Sequence, residues 1–404
     1  MLDSESIRCT DDSPRAVWYY LYKAIENERS LDMHFRSART NLKDCDPVPN
    51  YKVMKQLALR NRLGWLYRPF IILAAALMPA LAAAQWVYSL VIVASKARIL
   101  DRPALHVVPT TPTNTDLIEA ALQTDPALKE QPCDTDILTL SALSREIGLS
   151  GVLFCIASNL RLLKHILQTG GRKRVDLMLH TRDALLLLML ARYAQNSPTH
   201  CFVTDDHYQR WAFLLSHFCR DLRIVQHGFL DSRIGFPNPF GAAHTVYVRD
   251  PLFGPDFAAY YRIEEIKVFS PARAFTSNTF AANGLFLASS FPSIDEEIEL
   301  VSLLKSRPGL AVIVKFHPAH AYDSRKLRLA ELATHVSSDE LPGCRIFVSH
   351  NSFMEFDYKI SGIPTFSIAR SGGPVATARA IFTLLDQQQV LNHPLGPTRD
   401  LLAS

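Results

Sequence analysis

Residues 201–228 read CFVTDDHYQRWAFLLSHFCRDLRIVQHG, and this stretch decides the fold class. It opens on a short apolar run, Cys201–Thr204, closed by two aspartates. A 12-residue stretch at 208–219 follows, with apolar side chains at helical spacing (Trp211, Leu214, Leu215, Phe218). A second apolar run at 223–226 then ends on His227-Gly228. Short apolar runs bounded by turn residues read as buried strands, and the longer amphipathic stretch reads as a helix. Strand, helix and strand in that order form a crossover unit, the building block of parallel α/β sheets.

The same alternation extends in both directions. Strands are expected at 105–108, 245–248 and 266–269, and in a second series at 285–288, 311–316, 344–348 and 364–368. Helices are expected at 183–194, 294–305, 324–335, 352–361 and 375–385, and residues 14–66 also read as helical. The polar, proline-containing stretch 270–283 separates the two series. The reading is an α/β chain with two Rossmann-like domains facing a cleft and a helical, membrane-associated N-terminal region. Its divisions are 1–100 for that region, 101–275 for the first Rossmann-like domain and 276–404 for the second, which the resemblance given below makes the acceptor and the nucleotide-donor domain.

The chain has 404 residues, of which 48 % are apolar and 20 % charged. That profile excludes disorder, collagen and coiled coil for the whole chain. Of 43 basic residues, seven (Lys52, Lys55, Arg60, Arg62, Arg68, Lys96, Arg98) fall between Pro47 and Leu100, where there is no acid. The remainder carries 36 basic against 39 acidic residues. A nucleic-acid partner needs a basic face on the folded domain, so none is expected. The seven cysteines are widely spaced and lack a C-x-x-C, so they read as reduced, buried thiols. The polar, acidic residues 1–13 do not read as a leader.

The local charge brackets residues 70–94, FIILAAALMPALAAAQWVYSLVIVA, 25 residues with no charge. Three readings follow from length and flanks: monotopic attachment to a membrane, a buried Ala-rich hairpin broken near Pro79, and a true span. Basic residues on both sides give a span no clear orientation, whereas a hairpin or an interfacial helix keeps both flanks on the cytoplasmic face; with the bacterial resemblance given below, that is the inner membrane, peripheral or monotopic. From Met54 onward the text also mimics a signal peptide, deep inside the chain.

In open parallel sheets ligands bind beyond the carboxyl ends of the strands, and four places there carry chemistry. Asp205 and Asp206 follow the first strand of the opening unit, as a general base or as helix caps. His227, with Gly228 permitting a tight turn, closes the next. Lys315-Phe316-His317-Pro318 closes the strand at 311–316, with His320 as a possible but poorly placed metal partner. Ser349-His350-Asn351-Ser352 precedes a helix and suits either an N-cap or an anion site. Gly372 and Gly373, before Pro374, offer a second such turn. There is no GxGxxG, no P-loop and no GxSxG elbow. Asp134-Thr135-Asp136 precedes an apolar run and sits poorly for a metal-bound nucleotide. No metal and no cofactor are expected.

The order strand–QHG, strand–KFHP, strand–SHNS, helix and Gly362-Ile363-Pro364 resembles bacterial two-domain glycosyltransferases of the GT-B architecture. The nearest likeness is to surface-polysaccharide enzymes with cytidine-nucleotide donors: teichoic-acid glycerophosphotransferases, capsule polysialyltransferases and capsule Kdo transferases. It covers roughly residues 200–370. It implies a metal-independent transferase moving a sugar or polyol phosphate from a nucleotide-activated donor to a polysaccharide or glycolipid acceptor. His227, or Asp205 or Asp206, would take the acceptor proton. His317 would neutralise the leaving phosphate, with Lys315, Ser349, Asn351, Ser352, Asp357, Gly372 and Gly373 completing the donor site. The alternatives are a nucleotide-sugar epimerase on the same fold and a non-catalytic membrane-bound scaffold.

Overall fold

The computed structural model describes residues 14–38, 56, 59–60, 62–95, 105–108, 112–129, 133–134, 139–204, 210–228, 235–270, 275, 284–290, 293–316, 324–337, 340–350 and 352–392. The chain divides into two compact units, the first ending at Pro271 and the second starting its main body at Ala272.

The first unit holds a six-stranded sheet, all strands parallel. Its strands are β1 (Leu105–Val108), β2 (Cys133–Asp134), β3 (Cys201–Thr204), β4 (Asp221–Val225), β5 (Ala242–Val248) and β6 (Arg262–Val268). The order is β2-β1-β3-β4-β5-β6, so the chain changes direction across the sheet between β1 and β3. The helices are α1 (Pro14–Ala38), α2 (Tyr67–Ala94), α3 (Pro112–Gln123), α4 (Pro126–Lys129), α5 (Leu140–Thr169), α6 (Arg174–Leu179), α7 (Ala184–Asn196), α8 (Arg210–Phe218) and α9 (Gly254–Ala258).

Successive side chains of a strand face opposite sides, and both sides are covered here. Phe202, Leu222, Ile224 and Val246 join the larger core, built with Leu21 and Ile25 of α1, Leu162 of α5, Leu188 of α7 and Phe213 of α8. Cys201, Val203, Val225 and Tyr247 meet Leu117, Ile118 and Ala121 of α3 on the other side. Burial on both faces is why these strands read as unbroken apolar runs.

The second unit has a five-stranded, all-parallel sheet in the order β11-β10-β7-β8-β9. Its strands are β7 (Leu285–Ser289), β8 (Val312–Phe316), β9 (Thr334–His335), β10 (Ile346–Ser349) and β11 (Thr365–Ser367). The helices are α10 (Ile294–Leu304), α11 (Ser324–Leu332), α12 (Glu355–Ile360) and α13 (Pro374–Asn392). Leu285, Leu287, Val314 and Val348 pack against Ile298 of α10, Leu329 of α11 and Ile381 of α13. On the reverse face Tyr358 of α12 stacks on Phe347 at 4.5 Å and donates to Pro342 O at 2.9 Å. Both units are thus parallel, Rossmann-like α/β layers.

Several expectations need correction. The helix at 324–335 stops at Leu332, and β-branched Thr334 opens β9 beside β8. The helix at 352–361 begins only at Glu355. Of residues 1–100, the described helices α1 and α2 contribute Val17, Leu21, Ala75 and Ala82 to the core of the first sheet. Asn27 of α1 also exchanges hydrogen bonds with Asn238, donating from Nδ2 to its carbonyl at 2.9 Å and accepting from its amide at 3.0 Å. Pro79 does not break a hairpin, since α2 runs through it as one helix. Pro79 lies on the exposed side, and the helix continues there with one main-chain hydrogen bond fewer. The long apolar helix α5 was not anticipated; it is kinked at Gly148, whose φ of +67° only glycine adopts readily. Among the described residues Cys155, Cys201 and Cys344 are buried, Cys219 is half-buried and none is paired. Burial pushes the Cys155, Cys219 and Cys344 thiols up to about 12, which keeps them unreactive.

Candidate functional site

The second sheet reverses direction between β7 and β10, and at such a switch point the loops diverge and leave a crevice. The polar residues of this unit gather there. β7 ends on Ser289-Ser290. Glu297, fully buried on α10, accepts from Ser289 Oγ at 2.5 Å and from the Ser290 amide at 2.7 Å. Burial pushes the Glu297 carboxyl up to about 7, against the opposing pull of these hydrogen bonds. It therefore changes charge near neutrality while holding the β7–α10 turn.

β10 ends on Ser349, whose Oγ accepts from the Ser352 amide at 3.1 Å. His350 is buried, with Nε2 3.2 Å from Glu296 Oε2. Ser367, closing β11, donates from Oγ to His350 O at 2.7 Å and accepts from the Arg370 amide at 3.3 Å. These hydroxyls knit two adjacent strand ends together. Ser352 is half-buried and accepts from the Met354 amide at 3.3 Å, so its own O–H can still turn to a ligand.

The helix starts at this edge differ in charge. The first turn of α10 carries Asp295, Glu296 and Glu297, and that of α12 carries Glu355 and Asp357, both buried. These carboxylates already occupy the positive ends of their helices. At α12 these acids oppose an anion, so the anion reading of the Ser349–Ser352 motif rests on the Ser352 hydroxyl rather than on the helix end. The first turns of α11 and α13 hold no acid. α13 is entered through Gly372 and Gly373 at φ of +88° and +96°, conformations that side chains with a Cβ adopt only under strain. Gly373 donates to Ile368 O at 2.9 Å, and Thr377 Oγ1 donates to Gly373 O at 2.8 Å. Beside this turn Arg370 pairs with Glu355 and remains 58 % exposed. A fixed turn, an acid-free helix start and a half-free guanidinium together suit a phosphate.

At the carboxyl edge of the first sheet, Gln226 is buried after β4. It donates from Nε2 to Gly228 O at 3.2 Å and accepts the Arg249 amide on Oε1 at 3.0 Å, tying the ends of β4 and β5. His227 is half-buried on this turn. Arg249, 4 % exposed, lies over the Phe269 ring at 5.4 Å. A buried cation at a strand end is a site candidate that the sequence reading passed over, as it did Ser289 and Glu297. Lys315 Nζ donates to Glu340 O at 2.9 Å, a bond internal to its unit. Asp205, Asp206, His317, His320 and Asn351 lie outside the described residues. Among the described residues no cluster of three His, Cys, Asp or Glu could hold a metal ion.

Comparison with known proteins adds no family to this geometry: no protein-family model matches the chain, and no curated protein matches it.

Proposed function

We propose that the chain is a glycosyltransferase of the GT-B type, or a glycerophosphotransferase-like enzyme, acting on a nucleotide-activated donor. The observation that carries the reading is the coincidence, in the second unit, of the β7–β10 switch point with Ser352, Arg370 and the Gly372–Gly373 turn into α13. Parallel sheets bind nucleotides at such points, and phosphates favour acid-free helix starts. The donor phosphate would rest against Gly372, Gly373 and Arg370, with the Ser352 hydroxyl donating to it. His317 would neutralise the leaving phosphate, and His227 would take the acceptor proton.

The test is calorimetric titration of the full chain with CMP, CDP and UDP, and of His317→Ala and Ser352→Ala. One nucleotide should bind in the micromolar range, weakened about tenfold or more by either change. No binding of any of the three below millimolar concentrations would reject a nucleotide donor. A second reading, a non-catalytic scaffold of polysaccharide assembly, draws on the Ser349, Ser367 and Glu297 bonds, which are satisfied within the fold itself.

A further inference from the structure

Two acid-free stretches of sequence supply neighbouring helices of the first unit, with Arg60, Arg62, Arg68, Arg161, Lys164, Arg172, Lys173 and Arg174 among the described residues. Residues 47–100 carry seven basic side chains and no acid. Residues 147–175 carry five, Arg161, Lys164, Arg172, Lys173 and Arg174, and again no acid. The helices they contain, α2 and α5, pack side by side. α2 buries the small residues Ala75, Ala82 and Ser89, one every seventh position, which lets it lie close against its neighbours. Its outer side is bare: Ile72, Leu73, Val87 and Val91 are each more than half exposed. α5 shows the same in a narrower form, with Leu149, Leu153, Leu160 and Leu167 about half exposed along one stripe. Apolar rows left open on two adjacent helices mark a surface that something else covers.

We propose that α2 and α5 together form a membrane-contact face that lies in the plane of an anionic bilayer. The leucine, isoleucine and valine rows would sit at the acyl boundary, and the arginines and lysines would meet the headgroups. Charge argues for lipid as the occupant. A second copy of this chain would bring an equally basic pair of helices, with basic outnumbering acidic side chains, and be repelled. Trp65, 83 % exposed just before α2 and between Arg62 and Arg68, has the position of an interfacial anchor.

Attachment in the plane, rather than a span, follows from what holds the inner side of α2. Gln85 Nε2 donates to Arg182 O at 3.2 Å, and Arg182 and Asp183 there have side chains 76 % and 52 % exposed. A helix crossing the bilayer would carry these charges into hydrocarbon, where they are costly. This inference stands apart from the transferase reading and extends the contact to α5.

The experiment uses the full chain with vesicles of phosphatidylglycerol and phosphatidylcholine, or of phosphatidylcholine alone, read by co-sedimentation. The double variant Leu153→Glu/Leu160→Glu changes only α5, at half-exposed positions where glutamate is a good helix former. It should weaken binding to the anionic vesicles at least tenfold, while Leu252→Glu, at an exposed leucine on neither helix, should not. Alkaline carbonate should strip the bound protein. Circular dichroism verifies that each variant is folded. Four results would overturn the proposal: unchanged binding of the α5 variant, equal binding to neutral vesicles, resistance to carbonate, or a soluble dimer that ignores vesicles and dissociates in the α5 variant.

Discussion

Replacing Glu297 by glutamine should stabilise the second unit at pH 8 and leave its stability nearly unchanged at pH 4. Among the described residues no cation pairs with the buried Glu297, and its carboxyl is raised from an ordinary 4.5 to about 7. In the unfolded chain the same group ionises near its ordinary value. Between those two limits the unfolded state releases a proton that the folded state keeps, so stability falls as pH rises from about 4.5 to 7. The deficit then persists at higher pH and amounts to about 3 kcal/mol. Glutamine cannot ionise; its carbonyl can still accept from the Ser290 amide while its NH2 group donates to the Ser289 hydroxyl, so the variant escapes that loss. Urea unfolding at pH 4, 6 and 8 measures it. Tryptophans 18, 65, 86 and 211 all lie in the first unit, so circular dichroism follows both units while fluorescence follows the first. Identical pH slopes in wild type and variant, or a variant weaker than wild type at pH 8, would refute the reasoning. Either would mean that the Ser289 and Ser290 hydrogen bonds hold the carboxylate ionised.

Two further outcomes are expected. Asp125 Oδ2 accepts from Arg223 Nη1, Tyr247 Oη and Lys267 Nζ, each at 2.8 Å. Asp125→Ala should destabilise the first unit by roughly 1–3 kcal/mol, because Arg223 and Tyr247 lose a buried acceptor while Arg223 keeps Asp221 at 2.9 Å; thermal unfolding followed by tryptophan fluorescence checks this. His227→Ala should leave nucleotide affinity nearly unchanged and cut transfer by roughly 10²–10⁴-fold, as turnover and calorimetry together would show; if Asp205→Asn reproduces that pattern and His227→Ala is mild, the base is Asp205.

Strands buried on both faces leave plain traces in sequence, which is why β1 and β3 lie where their apolar runs placed them. β2 and β9 are two-residue edge strands with no periodicity to detect. α5 is apolar nearly all round and bends at Gly148, so it shows no amphipathic stripe. At the site, Ser349 and Ser352 were legible because polar residues directly following a strand stand out. Arg249 follows β5 in the same way, and Val248-Arg249-Asp250 carried that signal. Glu297 did not: it sits mid-helix among other acids, and only tertiary packing makes it the fully buried one. Asp357 was legible as an acid one turn beyond Ser352, but its burial together with Glu355 in the first turn of α12 comes only from tertiary packing.

The exchange of hydrogen bonds between Asn27 and Asn238 has a bearing on synthesis. These residues are 211 apart in the chain, and translation proceeds at about 5–20 residues per second. The first helix must therefore wait on the order of 10–40 s after it emerges before the residues that close over it exist. During that interval α5, α7 and α8, against which α1 packs, emerge one after another, so Leu21 and Ile25, wholly enclosed in the finished unit, are covered only in stages beside the still greasier α2. A nascent chain in this condition is a substrate for chaperones or for early capture by a lipid surface.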